Sequence, residues 1–155
     1  MKEKVQKLED LKAWQEGKLL AVAVYKITLT EIWLKDYSLR DQIRRSSVSV
    51  PSNIAEGYGR SGNKEFIRYL YIAKGSLYEL KTQLLIANEI GYLSELDLKN
   101  TGEQIDKVAK IISGLLHYLK ETEYKGSKFA EPEIEYGIST NLEATTSNFE
   151  PRTSN

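Results

Sequence analysis

The strongest constraint on the fold is a run of apolar residues within 66–87 that recurs in alternating steps of four and three. This spacing places all of its members on one face of an α-helix, and it is the period of helices that pack along a common seam. The members are Phe66, Leu70, Ala73, Leu77, Leu80, Leu84 and Ala87. Gly91 follows them and is typical of a helix C-terminus. The stretch therefore predicts a long helix with one buried face, capped at its start by Ser61 or Asn63.

Three further segments, 10–35, 38–57 and 94–123, carry helical seams. Each begins with a short polar side chain that can accept a hydrogen bond from the free amides of a first helical turn. These predicted N-caps are Asp10, Ser38 and Ser94. The seam of the first segment is Ala13, Gly17, Leu20, Val24, Ile27 and Leu34, and that of the last is Leu98, Thr101, Ile105, Val108, Ile112, Leu115 and Leu119. Four helices of about 25 residues joined by short turns favour an all-α fold, an antiparallel up-down-up-down four-helix bundle.

Pro51 lies inside the second helical segment, where it lacks the amide that a helix interior needs and its ring crowds the preceding turn. The apolar stripe of this segment keeps its phase across the proline, so we predict a kinked second helix rather than a broken one. The hydroxyls of Ser47 and Ser49 are expected to satisfy groups that the kink frees. Small residues in the stripe, Ser47 and Gly57, predict close approach of a neighbouring backbone.

Composition separates the body of the chain from its end. The 155 residues carry equal numbers of basic and acidic side chains, but residues 126–155 hold five glutamates against one lysine and one arginine. Helical periodicity also disappears there, and proline, threonine, serine and asparagine dominate. We predict a single four-helix domain over 1–125, with net charge +3, and a flexible polar, acidic tail over 126–155.

Several classes of protein are disfavoured by composition. The chain has no cysteine, so it has neither a disulfide framework nor a thiolate metal site. Its N-terminus alternates charged and apolar residues and lacks the apolar core of a signal peptide. The longest uncharged apolar run near it, 19–25, is far too short to cross a bilayer. A cytoplasmic protein without membrane contact is the expectation.

Motifs that would indicate catalysis stand in the wrong context. Residues 57–62 match the glycine pattern of dinucleotide-binding proteins, but that motif needs a preceding strand, whereas here a helical stripe precedes it. Ser61 and Lys64 match the nucleophile and base spacing of penicillin-recognising enzymes without their accompanying motifs. His117, the single histidine, lacks the glutamate three residues earlier that di-iron bundles use. We expect no catalytic residue, no metal and no cofactor.

The helix over 66–87 has more apolar surface than one seam requires. A second stripe lies about 100° around the helix from the first. Its members are Tyr71, Tyr78, Leu85 and Tyr92, widened by Ile72 and Ile86. A second buried contact is therefore expected, with these six residues as the candidate oligomer interface.

Basic residues concentrate between 40 and 74, a stretch with seven lysines and arginines but only three aspartates and glutamates. Lys64 and Arg68 share a helix face by their spacing of four, and tyrosines are interleaved with them. Arginine with tyrosine suits phosphates and stacked bases. A solvated surface with salt bridges between helices explains the same residues equally well, so the pattern alone leaves both interpretations open.

A family resemblance adds to these patterns. Residues 41–45 (DQIRR) and 50–60 (VPSNIAEGYGR) closely resemble the signature of a bacterial four-helix-bundle family often encoded in intervening sequences of 23S ribosomal RNA genes. The stretches 64–80 and 82–87 continue the resemblance, and 10–15 (DLKAWQ) looks like its opening. The chain is similar also to the accessory protein of diversity-generating retroelements. The resemblance spans about 10–119.

The resemblance implies an antiparallel four-helix bundle that assembles into a ring-shaped homopentamer without enzymatic activity. It also implies contact with nucleic acid and a reverse transcriptase through basic surfaces. The residues that fall on or beside the matched motifs, and so are candidate nucleic-acid contacts, are Arg44, Arg45, Arg60, Lys64 and Arg68.

The leading hypothesis is a non-enzymatic, ring-forming helical scaffold for RNA or a ribonucleoprotein partner. The alternative is a protein-binding adaptor, whose basic face pairs with an acidic partner or with the tail itself. A hydrolase or nuclease ranks below both, because no metal ligands or nucleophile and base pair can be assembled from the sequence.

Overall fold

The computed structural model describes residues 5–122, which form five α-helices and no β-strand. A short 3-10 turn at Leu8–Asp10 precedes the first helix. The helices are α1 (Lys12–Ile27), α2 (Glu31–Lys35), α3 (Tyr37–Gly59), α4 (Asn63–Glu89) and α5 (Glu95–Glu121). The predicted all-α class is confirmed for this part of the chain. The predicted tail, 126–155, lies outside the described residues.

The four long helices contact one another in a closed cycle: α1 packs on α3, α3 on α4, α4 on α5, and α5 on α1. Side-chain hydrogen bonds fix the directions of two of these pairs. Ser46 bonds to Gln83 and Ser49 to Ser76, so α3 and α4 run antiparallel. Asn63 at the start of α4 donates to the carbonyl of Leu119 near the end of α5, so these two also run antiparallel.

The buried faces of α4 and α5 follow the predicted seams. All seven seam residues of α4 are buried, from Phe66 to Ala87. In α5 every predicted position from Thr101 to Leu119 is buried, and Leu98 packs partly buried against the same core. Gly91 follows α4 with φ +82°, as expected for a glycine that ends a helix. The seven-residue period therefore locates the core correctly.

The first helix is shorter than the segment 10–35 predicted for it. It ends at Ile27, where the Thr28 hydroxyl donates to the Val24 carbonyl at 2.9 Å, and a separate short helix α2 follows. This break changes the phase of the chain. Leu34, predicted to lie in the seam, is 50% exposed, while Trp33 is fully buried with its ring edge-on to Tyr92 at 5.5 Å between centroids.

The N-caps follow the predictions at only one helix. Ser94 caps α5 by accepting from the Asp97 amide at 3.1 Å, as predicted. Asp36, rather than Ser38, caps α3 through the Leu39 amide. The N-cap residues of the other two long helices, Gly62 for α4 and Leu11 for α1, have no side chain that accepts a hydrogen bond. Asp10, the predicted cap of the first helix, instead accepts hydrogen bonds from the upstream amides of Gln6 and Lys7.

Helix α3 continues through Pro51, as predicted, and its neighbours come close at glycines. A Cβ built on Gly57 would lie 2.7 Å from Tyr69 Cβ and 2.9 Å from Phe66 Cδ2, so only glycine fits this contact with α4. A Cβ on Gly17 would meet Val50 and Ile54 of α3 at 3.4 and 3.6 Å. Gly57 therefore permits a close contact between α3 and α4.

None of the helices in residues 5–122 combines the length and hydrophobicity that a bilayer crossing requires.

Candidate functional site

Arg44, one of the five candidate nucleic-acid contacts, is engaged inside the fold. Its Nε donates to the Thr28 hydroxyl at 2.8 Å and a terminal nitrogen donates to the Thr28 carbonyl at 3.0 Å. Its guanidinium also lies over the Tyr25 ring, 4.6 Å from the centroid. A cation at the last carbonyls of a helix is favoured by the helix dipole. Arg44 thus binds α3 to the C-terminal end of α1.

Arg45, the next residue, is exposed and has no ion pair among the described residues. With Arg44, Asp41, Tyr25 and Val48 it lines an open cavity of about 390 Å³ between α1 and α3. The carboxylate of Asp41 is itself paired with Arg40 at 3.1 Å. Arg45 is therefore the cation in this cavity that can contact a bound anion.

Arg60 lies at the other end of α3, in a small cluster with Glu56 and Tyr69. Its Nε and a terminal nitrogen both donate to Glu56 Oε1, at 2.9 and 2.6 Å, and its guanidinium lies 5.3 Å from the Tyr69 ring centroid. The hydrogen bonds that Arg60 donates to Glu56, together with the electrostatic effect of nearby Tyr69, raise the pKa of Arg60 above its already high ordinary value. Arg60 remains charged, and one carboxylate already neutralises part of that charge.

Lys64 and Arg68 follow on the first turns of α4. Arg68 lies 3.9 Å from Glu65 and 6.0 Å from the centroid of the same Tyr69 ring. Lys64 is exposed and forms no salt bridge within residues 5–122. Arg60 and Arg68 therefore lie over one tyrosine at the turn between α3 and α4, and Lys64 lies on the first turn of α4 beside that turn. We call Arg60, Lys64, Arg68 and Tyr69 the turn cluster.

The structure thus separates the five candidates into two groups. Arg44 and Arg60 are sixteen positions apart on one helix, which corresponds to about 24 Å at 1.5 Å per residue. The turn cluster holds three of the candidates, two of which, Arg60 and Arg68, lie over one aromatic ring. Arg44 and Arg45 lie elsewhere, and the first of them has a structural role that the sequence pattern did not reveal.

The second candidate surface, the outer stripe of α4, is exposed. Five of its six predicted members are between 42% and 61% exposed: Tyr71, Ile72, Tyr78, Leu85 and Ile86. The sixth, Tyr92, lies beyond the end of α4 and packs against Trp33. We call the five exposed residues the α4 face. Lys120 of α5 borders it by donating to the Tyr71 hydroxyl at 2.6 Å.

A glycine lies within the α4 face. Gly75 is four residues after Tyr71 and three before Tyr78, and a Cβ built on it would meet nothing within 4 Å. Glycine in the middle of a helix is less stable than alanine by about 0.5–1 kcal/mol. No contact among the described residues explains why this position has no side chain. A surface that approaches α4 closely would explain it.

The motifs of possible catalysis lie at helix ends. Gly57 and Gly59 belong to the last turn of α3 and Gly62 precedes α4, so the glycine pattern joins two helices. His117 is on the surface of α5, 3.4 Å from Glu121. Within the described part of the chain, no group of three His, Asp or Glu side chains is placed to hold a metal ion.

Comparison with known proteins identifies the family. Residues 9–114 match the family model described as "23S rRNA-intervening sequence protein". Comparison with curated proteins finds no significant match.

A solved structure supports the fold. The chain resembles the crystal structure of a protein of unknown function from the S23 ribosomal protein family of Bacteroides thetaiotaomicron, with 21% sequence identity and a TM-score of 0.62. The match covers 67% of this chain and 97% of the other. At this identity it bears on the fold alone. Because the family model spans more than half of the sequence, the chain belongs to the family of 23S rRNA-intervening sequence proteins.

Proposed function

We propose that this protein is a non-enzymatic scaffold, a four-helix bundle that assembles into a ring of identical chains through the α4 face. The closed cycle of contacts among α1, α3, α4 and α5 supports the bundle. The observation that carries the assembly is the exposure of Tyr71, Tyr78 and Leu85 on one side of a helix whose other side is already buried. Monomers rarely expose contiguous apolar patches of this kind, which typically mark interaction sites.

The proposed stoichiometry, a homopentamer, comes from the family resemblance. It predicts a particle of about five times the chain mass of 17.7 kDa. Sedimentation equilibrium of the wild type and of Tyr78→Glu and Leu85→Glu tests it, because a buried carboxylate without a partner opposes association strongly. Both variants are expected to sediment as single chains.

Leu96→Glu is the matched control, since Leu96 is 66% exposed but lies on α5 and is not part of the α4 face. It should assemble as the wild type does. A wild type that sediments as a single chain at micromolar concentration would overturn the assembly proposal, and so would a Tyr78→Glu variant that assembles normally.

As the ligand of this scaffold we propose RNA or a ribonucleoprotein, contacted through the turn cluster. By the sequence resemblance to the accessory protein of diversity-generating retroelements, we propose a reverse transcriptase as one such protein partner. The cluster supports this proposal with two guanidinium groups over Tyr69 and an exposed lysine on the first turn of α4, because cations bind phosphates and an aromatic face stacks on bases. The cavity that contains Arg44 and Arg45 should contribute less to RNA binding, since Arg44 already donates a hydrogen bond to Thr28.

Titration of a labelled, structured RNA at two salt concentrations tests this ligand. Wild-type binding should weaken steeply with salt, because each lysine or arginine that contacts a phosphate releases bound counterions. A Lys64→Ala, Arg68→Ala double variant should bind more weakly and with a shallower salt dependence, whereas Arg45→Ala should change neither by much. RNA turnover that requires a metal ion would overturn the non-enzymatic assignment.

A protein-binding adaptor is the second candidate. It is favoured by the pairing of Arg60 with Glu56 and of Arg68 with Glu65, which reduces the charge available for phosphates. Absence of RNA binding at low salt by the assembled wild type would select the adaptor over the RNA scaffold.

A further inference from the structure

An apolar groove between α1 and α3 is separate from both proposed surfaces. It has a volume of about 450 Å³ and is open to solvent along its length. Its floor and walls are apolar, with Val22, Tyr25, Leu29 and Val48 all at least 40% exposed. The groove shares Tyr25 and Val48 with the cavity that contains Arg44 and Arg45, so the two form one continuous depression. We call this depression the α1–α3 groove.

Cations surround the groove. Lys18 and Lys26 line its apolar part, Arg44 and Arg45 line the adjoining cavity, and Asp41 is the one carboxylate among the lining residues. Asp41 is paired with Arg40, and neither Lys26 nor Arg45 forms a salt bridge among the described residues. An occupant that matches this surface combines apolar side chains with about three negative charges.

One segment of the chain itself has this composition. Residues 129–136, FAEPEIEY, carry Phe129, Ile134 and Tyr136 together with three glutamates and no basic residue. The glutamates are Glu131, Glu133 and Glu135, so they alternate with other residues along the segment. In an extended conformation such alternation places the three glutamates on one side of the segment and Ile134 and Tyr136 on the other. The segment complements the groove in both hydrophobicity and charge.

The segment is also within reach. Helix α5 ends at Glu121, beside the start of α4, because Asn63 donates to the Leu119 carbonyl at 2.7 Å. Val48 lies eleven residues before the end of α3, about 17 Å along the helix axis. Lateral passage around α1 adds about 10–20 Å at common interaxial distances. The thirteen residues from Glu121 to Ile134 span up to about 43 Å when extended, which suffices.

We propose that residues 129–136 bind in the α1–α3 groove of their own chain, with Ile134 and Tyr136 on Tyr25 and Val48 and the glutamates near Lys26 and Arg45. The attachment keeps the segment at high effective concentration, so modest contacts are sufficient for occupancy. The groove lies on α1 and α3 and shares no residue with the α4 face.

Disulfide trapping tests the contact in the full chain, since the absence of native cysteine makes every introduced thiol unique. Val48→Cys combined with Ala130→Cys places one thiol in the groove and one beside Phe129 without removing the apolar residues of the segment. Under mild oxidation this pair should close within single chains at least roughly ten times faster than a control pair, as expected when the partner group is held nearby.

Lys110→Cys with Ala130→Cys is that control. Lys110 is exposed and lies eleven residues before the end of α5, so it has the same axial depth as Val48 and is on the helix from which the segment leaves. Equal rates for the two pairs would overturn the proposal, because they indicate random collision. Cross-links that form between chains and accelerate with concentration would overturn it too, since they assign the occupant to a second copy.

Charge reversal separates specific docking from a general effect on thiol reactivity. Lys26→Glu with Arg45→Glu should slow closure of the groove pair severalfold, and adding Glu131→Lys with Glu133→Lys should restore it, because opposite charges face each other again. Failure of the second reversal to restore the rate, with all variants folded by circular dichroism, would contradict the proposed orientation of the segment.

Discussion

Arg44 and Thr28 are joined by two hydrogen bonds, from Nε to the threonine hydroxyl at 2.8 Å and from a terminal nitrogen to its carbonyl at 3.0 Å. Thr28 is itself fully buried, and its hydroxyl donates to the Val24 carbonyl one turn earlier in α1. The arginine therefore satisfies buried polar groups at the point where α1 ends. Arg44, which the pattern of basic residues predicts to contact nucleic acid, thus stabilises the junction of α1 and α3.

Substitution of Arg44 by alanine should consequently destabilise the fold. Loss of a charged donor that leaves a buried acceptor unpaired is expected to lower the free energy of unfolding by about 1–3 kcal/mol. Arg45→Ala, which removes an exposed neighbour of equal charge, should change it by no more than about 0.5 kcal/mol. Urea denaturation followed by circular dichroism measures both, and equal stabilities of the two variants would contradict the structural role of Arg44.

Replacement of Gly57 by alanine tests the close contact between α3 and α4. The added methyl group would lie 2.7 Å from Tyr69 Cβ and 2.9 Å from Phe66 Cδ2, so the helices must move apart. Overpacking of this kind lowers the free energy of unfolding by about 1–3 kcal/mol. Gly59→Ala is the control, because a Cβ there meets nothing within 4 Å, and its stability should stay near that of the wild type or rise. Thermal unfolding in which the Gly57 variant melts with the wild type would refute the contact.

The sequence predicts those features of the fold that depend on periodicity. The seam from Phe66 to Ala87 is buried as predicted because a helix of constant pitch keeps every seventh residue on one side. The close contact at Gly57 is predicted for a similar reason, since a small residue in phase with larger ones leaves space for a neighbour. The α4 face is exposed in the single chain, because a helix with two neighbours cannot bury two apolar stripes, and its burial against a second chain stays a prediction.

Features that depend on where a helix ends are not predicted by the pattern. The seam of the first segment continues in register to Leu34, but α1 ends at Thr28 and the chain resumes in a different phase, which buries Trp33 instead. The role of Arg44 depends on that ending, so no spacing in the sequence could reveal it. The separation of the basic candidates into two groups does follow from the predicted helix, because sixteen residues along α3 place Arg44 about 24 Å from Arg60.

Glu16 gives the stability a defined pH dependence. Its two carboxylate oxygens lie 3.0 Å from Lys12 and 2.9 Å from Lys107, so it joins α1 to α5. Burial disfavours its charged form, but the hydrogen bonds from Lys107 and Lys12 outweigh this and hold the pKa of Glu16 below its ordinary value of 4.5. The carboxylate therefore contributes stability above about pH 4.5, and this contribution is lost as the pH falls through the lowered pKa.

The variant Glu16→Gln should accordingly be less stable than the wild type at pH 7, by up to about 1 kcal/mol, and the difference should shrink below about pH 4.5. Glu103→Gln, an exposed glutamate without a salt bridge among the described residues, corrects for general effects of charge. Urea denaturation at pH 7, 5 and 3.5 measures both. A difference between Glu16→Gln and the wild type that grows as the pH falls would show that burial, rather than the two lysines, determines this pKa.

Substitutions of Gly75 separate effects on the stability of the single chain from effects on its assembly. Gly75 in α4 and Gly102 in α5 are both inside helices, and a Cβ at either meets nothing within 4 Å. Alanine at each position should therefore raise the free energy of unfolding of the isolated chain by a similar amount, about 0.5–1 kcal/mol, through helix propensity alone. Leucine separates the two positions, because a large side chain on the α4 face keeps a close partner away. In sedimentation velocity, the Gly75→Leu variant should be dissociated at concentrations where the Gly102→Leu variant remains assembled. If the Gly75→Leu variant stays assembled, no second chain approaches α4 at this glycine.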